Sequence, residues 1–143
     1  MTTILVLNGP NLGRLGTREP EIYGSQNLTD LQEFLDTEFP DHTIEVKQTD
    51  HEGELLGWLH SAVDNATPVV LNAGAWTHYS HALHDAVSLV TSAGVPVIEV
   101  HISNPHAREE FRHTSVLSSV ATGVIAGFGF DSYRLAVDHL LRD

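Results

Sequence analysis

The sequence predicts a doubly wound α/β domain built on a parallel sheet, and three observations predict it. Short apolar, β-branched-rich runs alternate with segments of helical periodicity along the whole chain. Four of those runs (3–7, 68–72, 95–101 and 121–129) are largely apolar, as strands covered on both faces require. No repeat, low-complexity segment or linker interrupts the 143 residues, which therefore read as a single domain, 1–143.

In order, "TILVL" (3–7) reads as a buried strand. The stretch 27–39 reads as a helix, because Leu28, Leu31, Phe34, Leu35 and Phe39 recur near i, i+3, i+4 spacing; Asn27 or Thr29 caps it and Pro40 stops it. "TIEVKQ" (43–48) alternates like a more exposed strand, and 53–66 reads as a second helix. "PVVLN" (68–72) is a fully apolar strand. A third helix spans 80–94 and closes at Gly94. Strands at 95–101 and 121–129 and a last helix at 131–143 complete the pattern. Five strands with intervening helices fit a flavodoxin-like three-layer sandwich of strand order 2-1-3-4-5. In such sheets ligands bind beyond the carboxyl ends of the strands, at the switch in strand order.

Composition narrows the partners. The formal charge is −12, with only 7 Lys+Arg against 19 Asp+Glu. That argues against nucleic acid or an anionic membrane, both of which select basic surfaces. No apolar run approaches the roughly 20 residues of a membrane helix, and the N-terminal segment lacks the basic and apolar regions of a signal peptide. The absence of cysteine excludes disulfides, zinc–thiolate sites and thiol catalysis and is consistent with the cytoplasm.

The chemistry-bearing residues gather where apolar strands stop. Strand 1 ends at Asn8 and opens a long loop, "GPNLGRLGTREPEIYGS", that holds Asn11, Arg14, Arg18 and Tyr23. Its glycines lack the spacing of either phosphate-binding motif and no lysine follows them, so nucleotide binding is the weak reading. Connections of this length are usually lids or binding loops. Strand 3 ends in Asn72, followed by His78. Strand 4 ends in Glu99 and His101, followed by Ile102, Ser103, Arg108 and Arg112. At least three of the seven basic residues (Arg18, Arg108 and Arg112) lie in or just beyond these loops, which suits a carboxylate or another anion. Glu99 and His101 are two apart on a strand and point the same way. A carboxylate beside an imidazole fixes its tautomer and raises its basicity, as a general acid or base needs; a purely structural pair reads the same way at this stage. His78, His81 and His84 recur in steps of three, so neighbouring pairs can share a helical face, but the pattern is not that of a metal site. The sole lysine, Lys47, lies on the predicted second strand, away from these loops, which disfavours Schiff-base catalysis.

The segments "NGPNLGRLGTREPEIYG", "NAGAWTH", "EVHISNPHAREEFRH" and "ATGVIAGFG" resemble the signature segments of the type II 3-dehydroquinate dehydratases, in order and over nearly the whole chain. The resemblance implies a flavodoxin-like fold, reversible dehydration of 3-dehydroquinate to 3-dehydroshikimate, and neither metal nor organic cofactor. By that resemblance Tyr23 is the base, Arg18 favours its tyrosinate and stabilises the transition state, and His101 is the general acid oriented by Glu99. Asn11 corresponds to the asparagine that holds a water near the developing enolate oxygen. Asn72, His78, Arg112 and the Ile102–Ser103 turn correspond to substrate-binding groups. Asp85 corresponds to an aspartate that reaches a neighbouring subunit's site, so a trimer-based dodecamer is implied. His81 and His84 stand where the family often has Val and Arg, and Gly13 and Arg14 where many members have Asn and Leu.

Overall fold

The computed structural model describes residues 1–17 and 26–142. Five parallel strands form one sheet: β1 (Thr3–Asn8), β2 (Thr43–Gln48), β3 (Val69–Asn72), β4 (Val97–His101) and β5 (Gly123–Ala126). Their order is β2-β1-β3-β4-β5, as the sequence predicts. Four helices connect or follow them: α1 (Leu28–Glu38), α2 (Glu52–Asn65), α3 (His81–Ser92) and α4 (Phe130–Leu140).

The period of two along the strands divides the interior into two cores. Leu5, Leu7, Val69, Leu71 and Val97 face α2 and α3 and pack with Leu55, Leu59, Leu83, Val87 and Val90. Ile4, Val6, Val70, Ile98 and Val100 face the other way, toward Leu31 and Leu35 of α1 and Tyr133, Ala136 and Val137 of α4. Each fully buried aliphatic side chain here contributes about 1.5–3 kcal/mol by leaving water. The alternation puts Glu99 on the same face as Val97, so the first core has a carboxylate at its upper margin.

Local signals decide the helix ends. Asn27 caps α1 through a reciprocal capping box: Asp30 N–H donates to Asn27 Oδ1 and Asn27 N–H to Asp30 Oδ2, both at 2.9 Å. Gly94, at φ 84°, turns the chain out of α3 toward β4. Helix α2 ends instead on Ala66 in the left-handed region, at φ 52° and ψ 43°. An alanine there is strained by roughly 1 kcal/mol that glycine would not feel. Ala66→Gly is therefore expected to stabilise the fold by about 0.5–1 kcal/mol in urea unfolding, and a lower midpoint with unchanged slope would contradict this.

Strand β5 departs from expectation. It spans Gly123–Ala126 rather than 121–129, and Val124 is 48% exposed. Only β4 pairs with it, and Gly127 and Gly129 adopt φ of 95° and 62°, which end the extended run. At the opposite margin, the Gln32 side chain of α1 covers β2. Its Nε2 donates to the Ile44 carbonyl at 2.7 Å, and its Oε1 accepts from Val46 N–H at 3.1 Å.

The strand-order switch falls between β1 and β3. Gly9 N–H donates to the Asn72 carbonyl at 2.8 Å. A Cβ on Gly9 would lie 2.4 Å from the Ala73 carbonyl oxygen, so only glycine permits this approach. The two loops leaving β1 and β3 consequently start in contact and diverge around an opening above the sheet.

Candidate active site

That opening is a cleft of about 170 Å³ whose lining includes Asn11, Asn72, His78, His101, Arg108 and Arg112. Ile102 and Ser103 also line it. Seven residues assigned to the site from sequence (Asn11, Asn72, His78, His101, Ile102, Ser103 and Arg112) therefore meet at one place. Glu99 lies behind His101, 1% exposed. Arg18 and Tyr23 lie outside the described residues. Asp85, on α3, does not line this cleft.

Strand β4 presents the pair at its end. Glu99 Oε2 and His101 Nε2 are 2.5 Å apart. Nε2 is thereby committed to the carboxylate, which leaves Nδ1 as the ring nitrogen available to a ligand. The other carboxylate oxygen is also occupied: Oε1 accepts from Ser118 Oγ at 2.7 Å and from Ser115 Oγ at 3.1 Å. Burial pushes the Glu99 carboxyl upward, but the bonds from His101, Ser118 and Ser115, with the attraction of His101, outweigh it and hold it below its ordinary value. A group so lowered binds fewer protons folded than unfolded. Its contribution to stability is present above the ordinary carboxylate pKa and is lost as pH falls through the folded-state value.

The floor on the β1–β3 side is a buried amide–phenol network. Asn72 Nδ2 donates to the Tyr133 hydroxyl at 2.8 Å, and that hydroxyl donates to Asn8 Oδ1 at 2.7 Å. Asn8 Nδ2 donates to the Lys47 carbonyl at 3.1 Å, and Asn72 Oδ1 accepts from Gly74 N–H at 3.2 Å. Burial pushes the Tyr133 phenol above its ordinary value, so it stays neutral and able to donate. Asn72 is thus held by partners on α4, β1 and its own loop. Tyr133→Phe leaves Asn8 Oδ1 without its donor and Asn72 Nδ2 without its acceptor. The expected loss is about 2–4 kcal/mol of unfolding free energy, and a loss under about 0.5 kcal/mol in denaturant unfolding would contradict it.

Asn11 has φ 67°, and its backbone N–H donates to Asp50 Oδ1 at 2.8 Å. Gln48 Nε2 donates both to Asp50 Oδ1 and to the Gly9 carbonyl, each at 3.1 Å. The end of β2 therefore supports the first loop. Arg112 Nε donates to Glu109 Oε2 at 2.9 Å, a bond that holds the exposed Glu109 carboxyl below its ordinary value. Arg108 Nη1 donates to Ser103 Oγ at 3.2 Å and brings a second guanidinium to the cleft.

His78 sits in the 3₁₀ turn Gly74–His78 and not on α3, so His78, His81 and His84 do not form one helical row. His78 and His84 instead share a different task. Their Nδ1 atoms lie 2.8 Å from the Thr114 carbonyl and 2.6 Å from the Val116 carbonyl, respectively. Each therefore presents Nδ1–H to the segment that carries Ser115. Among the described residues no three His, Asp or Glu gather as a metal site.

A parallel α/β sheet bearing an imidazole–carboxylate pair, amide groups and two guanidinium groups at its strand ends brings together groups capable of acid–base chemistry and of holding an anion. Comparison with known proteins is specific. The model of the family "Dehydroquinase class II" matches residues 2–141. The 3-dehydroquinate dehydratase of Salinispora tropica is 58% identical over 139 residues, covering 96% of this chain and 95% of that protein. That of Bacillus licheniformis is 51% identical over 144 residues, covering 99% and 97%. The crystal structure of the type II dehydroquinase from Propionibacterium acnes superposes with a TM-score of 0.95 at 51% identity, covering 100% of this chain and 98% of that one. The chain belongs to the class II dehydroquinase family.

Proposed function

We propose that this protein is a hydro-lyase that reversibly dehydrates 3-dehydroquinate to 3-dehydroshikimate, by anti elimination through an enolate, in the shikimate pathway or in quinate catabolism. The observation that carries this reading is the His101–Glu99 pair at the cleft, on a chain that shares a family with proteins named for that reaction. Loss of a hydroxyl needs an acid at the leaving oxygen, and an imidazole backed by a carboxylate meets that need near neutral pH. His101 Nδ1 gives the proton, while Nε2–H stays on Glu99.

Tyr23 takes the proton from the carbon beside the ketone. Arg18 lowers the cost of forming its phenolate, which has a reference pKa of about 10. The resulting enolate needs donors aimed at its oxygen, and Asn11 serves that side through an ordered water. Asn72, His78 and the Ile102–Ser103 turn bind the ring hydroxyls and carboxylate. Because Arg112 Nε already serves Glu109, the substrate carboxylate meets the Arg112 Nη atoms. Asp85 reaches a neighbouring subunit's cleft in a dodecamer built from trimers. The working compartment is the cytoplasm; no helix among the described residues is long and apolar enough to cross a membrane.

The test is to mix purified protein with 3-dehydroquinate and follow the absorbance of the conjugated product. Its appearance at a rate proportional to enzyme is expected. Binding of 3-dehydroquinate without turnover would leave only a ligand-binding module on this fold.

A further inference from the structure

We infer that Ser115 and Ser118 are positioning residues for the acid: their hydroxyls hold the free oxygen of Glu99 and thereby keep the carboxylate bonded to His101 and the imidazole aimed at the cleft. This rests on the reading of His101 as the acid of the dehydration.

The geometry is specific. A buried carboxylate has several lone-pair directions to satisfy and no water to satisfy them. Glu99 Oε2 faces His101, and Oε1 receives two hydroxyl protons, from Ser118 at 2.7 Å and Ser115 at 3.1 Å. The Ser115 hydroxyl is fixed in direction. Ser115 Oγ accepts from Leu117 N–H at 3.1 Å and Ser118 N–H at 3.2 Å, so its one proton is left for Glu99. Leu117, between the two serines, is buried in the core shared with α2 and α3.

The segment itself is fastened to the start of α3. Val116 N–H donates to the Thr77 carbonyl at 2.8 Å, and His78 and His84 take the Thr114 and Val116 carbonyls. His84 is therefore part of the scaffold behind the acid. A cleft of about 330 Å³ on this side of the pair is lined by Glu99, His101, Ser115 and Ser118.

Without the two donors, the lone pairs of Oε1 are left bare in a low-dielectric setting. The carboxylate then gains by accepting the proton that it shares with His101. The pair becomes a neutral acid beside a neutral imidazole, and the leaving hydroxyl then faces the Nδ1–H of a neutral ring, a far weaker acid than imidazolium. The direction follows from counting protons: transfer within the pair releases none, and the shared proton then leaves a carboxyl whose anion has lost its donors, so the pair is deprotonated at higher pH. Among the described residues, the other charged or titratable groups around the pair are His78 before α3, His106, Arg112 and His113 from the 105–113 segment, and Arg108 across the cleft. The register neighbours of Glu99, Leu71 on β3 and Val124 on β5, are apolar. All of these stay in place in the serine variants, which isolates the hydroxyls as the cause of any shift.

The experiment compares Ser118→Ala, Ser118→Thr and the double variant Ser115→Ala/Ser118→Ala with the parent protein. Ser118→Ala should lower kcat about three- to tenfold at neutral pH, with KM within twofold. The alkaline limb of the kcat profile should move about 0.5–1 pH unit higher, further in the double variant. Ser118→Thr, which keeps the hydroxyl, should restore most of both. In the unliganded proteins at neutral pH, the His101 Cε1–H resonance, assigned by its loss in His101→Gln, should lie nearer the neutral-imidazole position than in the parent. A fall in kcat with the limb and the resonance unmoved would show a merely structural role and overturn the proposal. So would a Ser115→Ala/Ser118→Ala variant with parental kcat. The resonance is read without turnover. A parent that forms no enone therefore overturns the assigned reaction, while the resonance position still decides whether the serines act through Glu99.

Discussion

His101→Gln is expected to lower kcat by about 10³-fold in both directions, with KM changed only a few-fold. General acid catalysis by a positioned side chain contributes about 10²–10⁴-fold. The choice of glutamine matters. His101 is backed by a carboxylate that is 1% exposed, and an alanine would leave that charge buried with one oxygen unpaired. A glutamine amide retains an N–H that can reach Glu99 but carries no transferable proton. The variant should therefore fold, bind the substrate carboxylate through Arg112, and fail only at proton transfer to the leaving hydroxyl. Steady-state kinetics with the enone readout, alongside thermal unfolding, separates these outcomes. A kcat within tenfold of the parent at every pH would remove His101 from the acid role.

The second large effect is expected at Tyr23. Tyr23→Phe should reduce turnover by at least about 10³-fold while 3-dehydroquinate still binds, because only the phenol oxygen is lost and a base of comparable reach is lost with it. Tyr23 is assigned by the likeness of its loop to the family signature, and it lies outside the described residues. The variant thus tests that assignment independently of the geometry at His101. Persistent enone formation in Tyr23→Phe would transfer the base to another group. Turnover that survives here but is lost in His101→Gln would leave the acid half of the mechanism standing alone.

Much of the architecture could be read from spacing alone. Helix α1 and its Asn27 cap, the Gly94 turn and the strand order all follow from local signals that act within a few residues. The site residues on β4 were legible for the same reason, since Glu99 and His101 are neighbours on one face of one strand. What escaped was long-range. Tyr133 completes the Asn8–Asn72 network from 61 and 125 residues away, and nothing in the α4 pattern distinguishes its hydroxyl from any core tyrosine. Ser115 and Ser118 lie in a stretch without regular periodicity, so their convergence on Glu99 has no signature in sequence. The error at β5 has another origin. An apolar run reads as doubly buried, but burial depends on what packs alongside, and β5 has a single strand neighbour. Of the neighbouring histidine pairs only His81 and His84 lie together on α3, because the helix begins at His81, three residues after His78.

Gln32 bears on how such chains behave when crowded. A parallel sheet exposes unpaired amides along its outer strand, and another chain can extend the sheet by pairing with them. Here one side-chain amide presents to Ile44 and Val46 the same donor and acceptor that an incoming strand would offer. The molecule thereby imitates its own next strand with a single residue. A chain arriving at that margin must first evict a tethered competitor, so growth by strand addition is discouraged at β2 before any contact between molecules is made.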